Sequence, residues 1–252
     1  MKPKEREARI LEIVRADGEA SVEALASRFA VSAETIRRDL HALASTGALH
    51  KVRGGARRIR AASEDSFELR RYANAPGKAA IARTLTQVIG PGDTIFIDTG
   101  TTTLACAETL SAIDGLTAVT NSFRIAERMA QGEAHQRIFV LGGAWSADNA
   151  EAVGPMAIAQ IAQFRADHAV LGVAALHSTS GGMDADPDEA QVAHAMIAHA
   201  QRVIVVAHHE KFDQRATFAV CRLDEIDVLV CDQAPQGDLA RALERARFEV
   251  RC

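Results

Sequence analysis

Short apolar segments that alternate with helical segments constrain the fold of this chain more than any other feature of its sequence. Some of them, such as 94–97, carry apolar residues at consecutive positions, which is typical of strands buried on both faces. Strands spaced by helices build a parallel sheet with helices on both faces, so the sequence predicts an α/β fold. The predicted strands are 94–97, 116–119, 137–141, 168–173, 202–206 and 227–230. The predicted helices include 79–89, 104–110, 122–130 and 189–200.

The residues that directly follow these strands are the candidates for a binding site, because open α/β sheets bind ligands beyond the carboxyl ends of their strands. The strand at 94–97 runs into Asp98-Thr99-Gly100-Thr101-Thr102-Thr103 and then into a helix. Free N–H groups at a helix N-terminus favour an anion, and threonine hydroxyls add donors. The segment therefore predicts a phosphate site, with an ordinary capped turn as the alternative.

Polar residues follow other predicted strands as well. Asn121 comes after the second strand, Gly142 and Gly143 after the third, and Lys211 after the strand at 202–206. Lys211 supplies a cation that suits a phosphate, although a lone lysine is more often only a surface residue. Glu189 begins a helix, where acids are common because of the helix dipole alone.

The segment 31–45 predicts a helix built to lie on nucleic acid. Ser32 is a candidate N-cap, and Ile36, Leu40 and Leu43 recur at helical spacing to give one apolar stripe. Guanidinium groups on the opposite face can pair phosphates or bind guanine edges. The candidates for DNA contact on this helix are Ser32, Glu34, Thr35, Arg37, Arg38 and His41.

The segments around this helix predict a winged helix-turn-helix. A first helix is expected to end near residue 17 and a second to run from about 21 to 29, with a tight connection into the recognition helix. The segment 48–53 is strand-like, and Gly54-Gly55 can turn it back to form the wing. Basic residues on or beside this wing would contact the sugar-phosphate backbone, namely Lys51, Arg53, Arg57, Arg58 and Arg60.

Charge is divided unevenly along the chain. The net charge is −4, yet residues 1–60 hold 13 Lys or Arg against 8 Asp or Glu, so a basic N-terminal part precedes an acidic remainder. Any single arginine could belong to a solvated helix face. Residues 37–60, however, contain seven Lys or Arg and only one acid. We predict a DNA-binding domain at 1–60, a linker at 61–76 and an effector-binding and oligomerisation domain at 77–252.

Further features concern compartment and cofactors. No apolar run approaches the roughly 20 residues that cross a bilayer, and the charged N-terminus has no signal-peptide core. A soluble cytoplasmic protein is therefore expected, without a membrane partner. Cys106, Cys221, Cys231 and Cys252 have no CxxC spacing and are expected to be free thiols. No pattern indicates a cofactor.

Several short motifs occur in both parts of the chain: Val31-Ser32, Thr35-Ile36-Arg37-Arg38-Asp39-Leu40, Gly54-Gly55-Ala56, Asp98-Thr99-Gly100-Thr101-Thr102, Thr120-Asn121-Ser122, Leu141-Gly142-Gly143 and Lys211-Phe212. Together they resemble the DeoR-type transcriptional regulators over nearly the whole length. Within that family, Phe96-Ile97-Asp98, 163–167 and the ending Val250-Arg251-Cys252 are most similar to the glycerol-3-phosphate repressors.

The resemblance implies a repressor with an effector domain similar to the phosphosugar isomerase fold. Such a repressor leaves its double-stranded operator DNA when it binds a phosphorylated sugar or polyol, and glycerol 3-phosphate is the first candidate. The resemblance also implies a homo-oligomer, often a tetramer. By position, the effector pocket would be lined by Asp98, Gly100, Thr101, Thr102, Asn121 and Lys211, and Arg37 and Arg38 would contact DNA.

The segment His208-His209-Glu210-Lys211 departs from the family's usual Asp-His-Ser-Lys or Asp-His-Thr-Lys. We expect His208 to face the pocket. It should titrate near pH 6.5, roughly the pKa of an unperturbed histidine, or higher beside a phosphate. Effector affinity should then fall as the pH rises. A metal site here is disfavoured, because neighbouring residues seldom point at one ion and no further ligand spacing supports it.

Two alternatives stay open. An enzyme, such as a sugar-phosphate isomerase or deaminase domain joined to a DNA-binding head, would need a positioned base, for which Asp98, Glu189 and Glu210 are conceivable. The strand at 169–176, however, ends without the carboxylate that similar isomerases have there. A transcriptional activator or architectural DNA binder would make the same DNA contacts as a repressor. We expect a regulator without catalytic activity.

Overall fold

The computed structural model describes residues 6–7, 9–11, 13–14, 19–45, 49–52, 54–57, 66–246 and 248–252. The chain divides into two compact units, Met1–Leu69 and Arg70–Cys252. No helix within the described ranges is long and apolar enough to span a bilayer.

The N-terminal unit is a winged helix-turn-helix, as predicted. The described residues of 6–14 are helical, and they are followed by β1 (Glu19–Ser21), α1 (Val22–Phe29), α2 (Ala33–Ser45), β2 (His50–Val52) and β3 (Gly55–Arg57). The three strands form an antiparallel sheet in the order β1-β3-β2. Gly54, with a φ of 83°, makes the turn between β2 and β3, so the predicted wing is confirmed.

The predicted apolar stripe of α2 forms the core of this unit. Ile36 and Leu40 are fully buried and Leu43 nearly so, and they pack in one cluster with residues of the other helices and the wing. The Ser32 hydroxyl accepts a hydrogen bond from the Thr35 backbone N–H at 3.2 Å, so the N-cap is confirmed. The stripe fixes which face of α2 is left for solvent.

A buried ion pair joins the first helical segment to α2. Arg6 donates from Nε to Asp39 Oδ2 at 2.6 Å and from Nη2 to Oδ1 at 3.1 Å. Arg6 is 7% exposed and Asp39 is 5% exposed, so the pair is shielded from water. In the sequence, Asp39 is only the one acid in a basic region. The pair could not be seen there because 33 positions separate its members.

The C-terminal unit is built on a seven-stranded parallel sheet. In spatial order its strands are β15 (Glu249–Arg251), β14 (Val228–Val230), β12 (Ala200–Val206), β9 (Ala166–Gly172), β4 (Thr94–Ile97), β5 (Thr117–Thr120) and β6 (Arg137–Val140). All six predicted strands are present, and the α/β fold class is confirmed. The edge strand β15 was not predicted, because three partly exposed residues give no apolar run.

Helices cover both faces of this sheet. Phe96 packs in one buried cluster, and its neighbours Ile95 and Ile97 pack in a second one, so β4 is buried on both faces. The helices from residue 67 onward are α3 (Phe67–Tyr72), α4 (Ala75–Leu85), α5 (Thr101–Leu110), α6 (Phe123–Ala130), α7 (Pro155–Ile161), α8 (Pro187–Ala198) and α9 (Gly237–Ala246), with short 3₁₀ helices at His209–Lys211 and Leu223–Glu225.

Two small antiparallel sheets lie outside the large one. They are the hairpin of β7 (Ala144–Ser146) and β8 (Glu151–Val153), and the sheet of β10 (Ala175–His177), β11 (Gly181–Asp184) and β13 (Phe218–Cys221). Part of the segment predicted as a linker is helical, since α3 and the start of α4 fall within it, while 61–65 lie outside the described residues. The domain boundaries stay a prediction.

A disulfide closes the C-terminal end of the chain. Cys231 follows β14 and Cys252 follows β15, and parallel pairing of Val230 with Arg251 brings the two cysteines next to each other, with 4.6 Å between their Cα atoms. The expectation of four free thiols is therefore wrong for this pair. Cys106 and Cys221 are free and buried. Spacing along the chain could not reveal the bond without β15.

Candidate functional site

Three of the predicted site residues lie at the carboxyl edge of the large sheet. His208 follows β12, Asp98 follows β4 and Asn121 follows β5, and all three are at most 4% exposed. In the strand order β12-β9-β4-β5 the outer two are three strand spacings apart, roughly 14 Å. The sheet therefore gathers these side chains along one edge, as the sequence predicted.

The bend after β4 has the geometry of an anion site. Gly100, with a φ of 142°, is the N-cap of α5 and makes no side-chain capping bond, so no side chain in the described structure caps the first turn. Thr101, Thr102 and Thr103 are the first residues of α5 and are at most 9% exposed. The buried Thr99 Oγ1 has no hydrogen-bond partner among the described residues. The backbone N–H groups of this turn and the Thr99 hydroxyl can donate to the oxygens of an anion, whereas the Thr103 hydroxyl already donates to the Gly100 carbonyl at 3.0 Å.

Two lysines lie close to His208 at this edge. Lys211 belongs to the 3₁₀ helix after β12, and Lys78 comes from α4, where it is 3% exposed and donates from Nζ to the Arg70 carbonyl. Lys78 also lines a cavity of about 630 Å³ together with Thr101 and Arg124. Lys211 was predicted and Lys78 was missed, because nothing in its local sequence distinguishes it from any helical lysine.

His208 is uncharged near neutral pH in this structure. Its burial, and then the nearby charges of Lys211 and Lys78, lower its pKa to about 4, while Asp232 acts in the opposite direction. The expectation that His208 titrates near pH 6.5 is therefore wrong, while the fall of effector affinity with rising pH stays a prediction. The sequence showed Lys211 near His208, but it could not show that His208 is buried or that Lys78 lies close to it.

Replacing His208 by asparagine should make the protein less sensitive to acid. Because the pKa of His208 is about 4 in the folded protein and roughly 6.5 in the unfolded chain, the folded state loses stability as the pH falls from 6.5 towards 4. We expect the free energy of unfolding of H208N, relative to the unmodified protein, to be about 2 kcal/mol higher at pH 4.5 than at pH 7.5. Urea denaturation at both pH values measures this difference.

His135→Asn is the matched control for this measurement, since the His135 side chain is 99% exposed. It should leave the difference between the two pH values unchanged. An H208N difference that is equally large at both pH values would contradict the lowered pKa.

Asn121 belongs to a buried hydrogen-bonded cluster at the other end of the site. Its Nδ2 donates to Glu151 Oε2 at 2.9 Å, and Asn149 Nδ2 donates to Glu151 Oε1 at 3.2 Å and to Glu189 Oε1 at 2.6 Å. The hairpin β7-β8 brings Glu151 here, because Ala152 N–H donates to the Asn121 carbonyl at 2.9 Å. Glu189 was predicted, whereas Glu151 and Asn149 were missed because only this hairpin places them.

The carboxyl groups of this cluster hold their protons more strongly than usual. Burial, followed by the charges of Glu151 and Asp184, raises the pKa of Asp98 well above its ordinary value. Burial raises the pKa of Glu151 to about 7, against the lowering effect of its bonds with Asn149 and Glu189. The site therefore has an acidic end at Asp98 and Glu151 and a cationic end at Lys78 and Lys211.

The two glycines after β6 have packing roles in the structure. Gly142 N–H donates to Gln160 Oε1 at 3.1 Å, and Gln160 Nε2 donates to the Gly142 carbonyl at 2.9 Å. A Cβ atom on Gly143 would lie 2.6 Å from the Val153 carbonyl oxygen, so only glycine fits there. Both polar groups of the Gly142 backbone are thus engaged within the protein.

The solvent face of α2 carries the predicted DNA contacts. Glu34, Arg37, Arg38 and His41 are exposed, and so is Lys51 on β2. Arg37 Nη1 lies 3.3 Å from Glu34 Oε2, an exposed pair that costs little to break when a phosphate approaches. Arg53, Arg58, Arg60 and the side chain of Arg57 lie outside the described part of the chain.

Two family models match most of the chain. Residues 6–62 match the DeoR-like helix-turn-helix domain, and residues 73–233 match the DeoR C terminal sensor domain. The chain belongs to the DeoR family of transcriptional regulators. The predicted resemblance is therefore confirmed, and in this family the N-terminal unit is the DNA-binding part and the C-terminal unit the sensor.

Relatives align over the full length of this DeoR-family chain. The glycerol-3-phosphate regulon repressor of Haemophilus influenzae is 32% identical over 100% of this chain and 98% of its own. The repressor CsqR of Escherichia coli is 31% identical over 97% of this chain and 94% of its own. Among solved structures, ribose 5-phosphate isomerase A of Methanocaldococcus jannaschii aligns with a TM-score of 0.39 and 14% identity over 54% of this chain and 53% of that one.

Proposed function

We propose that this DeoR-family regulator is a repressor that binds operator DNA as a homo-oligomer and leaves it on binding a phosphorylated sugar or polyol. Glycerol 3-phosphate is the first candidate effector, because relatives that align over nearly the whole chain are named glycerol-3-phosphate regulon repressors. The proposal does not include catalysis, in keeping with relatives that are named as repressors.

The observation that carries this proposal is the uncapped first turn of α5, where Lys78 lines the same cavity as Thr101. A phosphate placed there would accept hydrogen bonds from backbone N–H groups and from the unpaired Thr99 hydroxyl. Lys78 and Lys211 would supply positive charge from the side of His208. Neutral His208 can still donate one hydrogen bond to the ligand.

A thermal-shift screen of the full-length protein tests the effector class. A ligand at 100 times its Kd stabilises the folded state by about 2.7 kcal/mol, so a phosphorylated effector should raise the Tm. Glycerol 3-phosphate is compared with glycerol, and each sugar phosphate with its free sugar. Lys211→Met should remove the shift, whereas Arg245→Met, an exposed change on α9, should not.

The screen also contains the results that would refute the proposal. If phosphorylated and unphosphorylated compounds raise the Tm equally, the protein does not recognise the phosphate. If a compound raises the Tm but the protein stays bound to its operator in a gel shift, the compound binds without causing release from DNA, against the proposal. Turnover of ribose 5-phosphate or glucosamine 6-phosphate by the pure protein would show an enzyme instead.

Replacing Arg38 by alanine should weaken operator binding. Arg38 is exposed on the solvent face of α2, and a guanidinium that binds a base edge contributes roughly 1–3 kcal/mol of discrimination at one position. We therefore expect about a tenfold or greater loss of affinity in a gel-shift titration at fixed salt. Arg245→Met serves as the control for loss of general positive charge, and an unchanged titration for R38A would place Arg38 outside the interface.

A further inference from the structure

The acidic end of the site contains a buried acceptor that lacks a donor. Asn121 is 0% exposed, and its Oδ1 has no hydrogen-bond partner in the described structure. The amide cannot be turned to solve this, because its Nδ2 already donates to Glu151 Oε2 at 2.9 Å and to the Ala152 carbonyl at 3.3 Å. Turning it would set Oδ1 against two other acceptors. A group that binds here must donate hydrogen bonds.

The carboxyl groups nearest to Asn121 also accept hydrogen bonds from their neighbours. Glu151 is fully buried, accepts hydrogen bonds from the amides of Asn121 and Asn149, and also bonds to Glu189. Asp98 is 2% exposed, and its Oδ1 accepts from the Thr99 backbone N–H at 2.8 Å. The negative charges of Glu151 and Asp184 both raise the pKa of Asp98, so these groups lie near it. Asp98 and Glu151 are thus two buried carboxyl groups close to each other, and Glu151 is bonded to Asn121.

A ligand hydroxyl and a ligand ammonium would satisfy this end to different extents. A hydroxyl donates one hydrogen bond and brings no charge, so both carboxyl groups keep their raised pKa values. A protonated amine donates three hydrogen bonds, and its positive charge favours the ionised form of both carboxyl groups, an attraction that is strong in a site shielded from water. The opposite end of the site, with Lys78 and Lys211, is suited to a negative charge.

We propose that the effector carries a protonated amine in addition to its phosphate, so that an amino sugar phosphate binds with its ammonium between Asp98, Glu151 and Asn121. This inference rests on the proposed function, because it assumes that the phosphate occupies the first turn of α5, and it puts an amino sugar phosphate in place of glycerol 3-phosphate as the candidate effector. It assigns Asp98 and Glu151 to the recognition of the amine and Asn121 Oδ1 to one of its hydrogen bonds.

Isothermal titration with a matched pair of ligands tests the proposal on the full-length protein. Glucosamine 6-phosphate and glucose 6-phosphate differ only in the group at C2. At pH 7 glucosamine 6-phosphate should bind about tenfold or more tightly than glucose 6-phosphate, as expected for charge-assisted hydrogen bonds. Glu151→Gln and, independently, Asp98→Asn should bring this ratio down towards one.

The control variant is Glu244→Gln, which removes an exposed acid from α9 and should keep the full ratio. The fold of each variant is checked by its Tm. If one of the two does not fold, the other still tests the proposal. Equal or tighter binding of glucose 6-phosphate would overturn the amine assignment and leave the proposed function standing. The same holds if glycerol 3-phosphate binds and neither sugar does. If no phosphorylated compound binds, the proposed function fails and the inference fails with it.

Discussion

Replacing Asp39 by alanine should unfold the N-terminal unit, with a loss of about 3–5 kcal/mol in its free energy of unfolding. The variant leaves the Arg6 guanidinium buried without the carboxylate that now receives two of its N–H groups. A unit of this size buries a modest core and has little stability to spare. The expected consequence is loss of operator binding although Asp39 does not face solvent.

Two spectroscopic signals separate this effect from a general loss of structure. The chain has one tryptophan, Trp145, and it lies on β7 in the C-terminal unit. Its fluorescence should report an unchanged transition for D39A, while circular dichroism should show that part of the helix melts at a lower temperature. Glu34→Ala removes an exposed acid from the same helix and should change stability by about 0.5 kcal/mol or less.

A compensating variant makes the physical cause explicit. In Arg6→Met/Asp39→Leu both members of the pair become apolar, and such exchanges are often neutral or stabilising. We expect this double variant to recover most of the stability that D39A loses. If D39A melts like the unmodified protein, the ion pair contributes nothing to the stability of the unit.

Replacing Cys252 by serine should lower the free energy of unfolding of the C-terminal unit by about 3 kcal/mol. The bond to Cys231 closes a loop with a sequence separation of 21 and holds the short edge strand β15 against β14. Without it the unfolded chain gains conformational freedom and β15 is held only by its pairing with β14 and local contacts. Urea denaturation followed by Trp145 fluorescence under oxidising conditions measures the loss.

A thiol reductant provides the control for the disulfide. It should destabilise the unmodified protein by a similar amount and leave C252S unchanged. The buried free thiols of Cys106 and Cys221 have pKa values raised to about 12 by burial. They should therefore stay reduced under the oxidising conditions of the measurement. Equal stability of the unmodified protein with and without reductant would contradict the prediction.

The sequence alone determined the two folds and the residues that follow their strands. Apolar runs alternating with helical segments specify the parallel sheet, since only buried strands need apolar residues on both faces. The helical spacing of Ile36, Leu40 and Leu43 likewise specifies the core face of α2 and leaves Arg37 and Arg38 outside. These are local patterns, so one pass along the chain reveals them.

The tertiary structure decided which side chains meet. Lys78, Asn149 and Glu151 come to the site from a helix and a hairpin outside the strand ends, and their local sequence contains no sign of this. Arg6 and Asp39, and Cys231 and Cys252, likewise pair across long separations. The neutral state of His208 depends on burial and on two lysines from different elements. Charges and pKa values depend on distances through space, and spacing along the chain does not fix those distances.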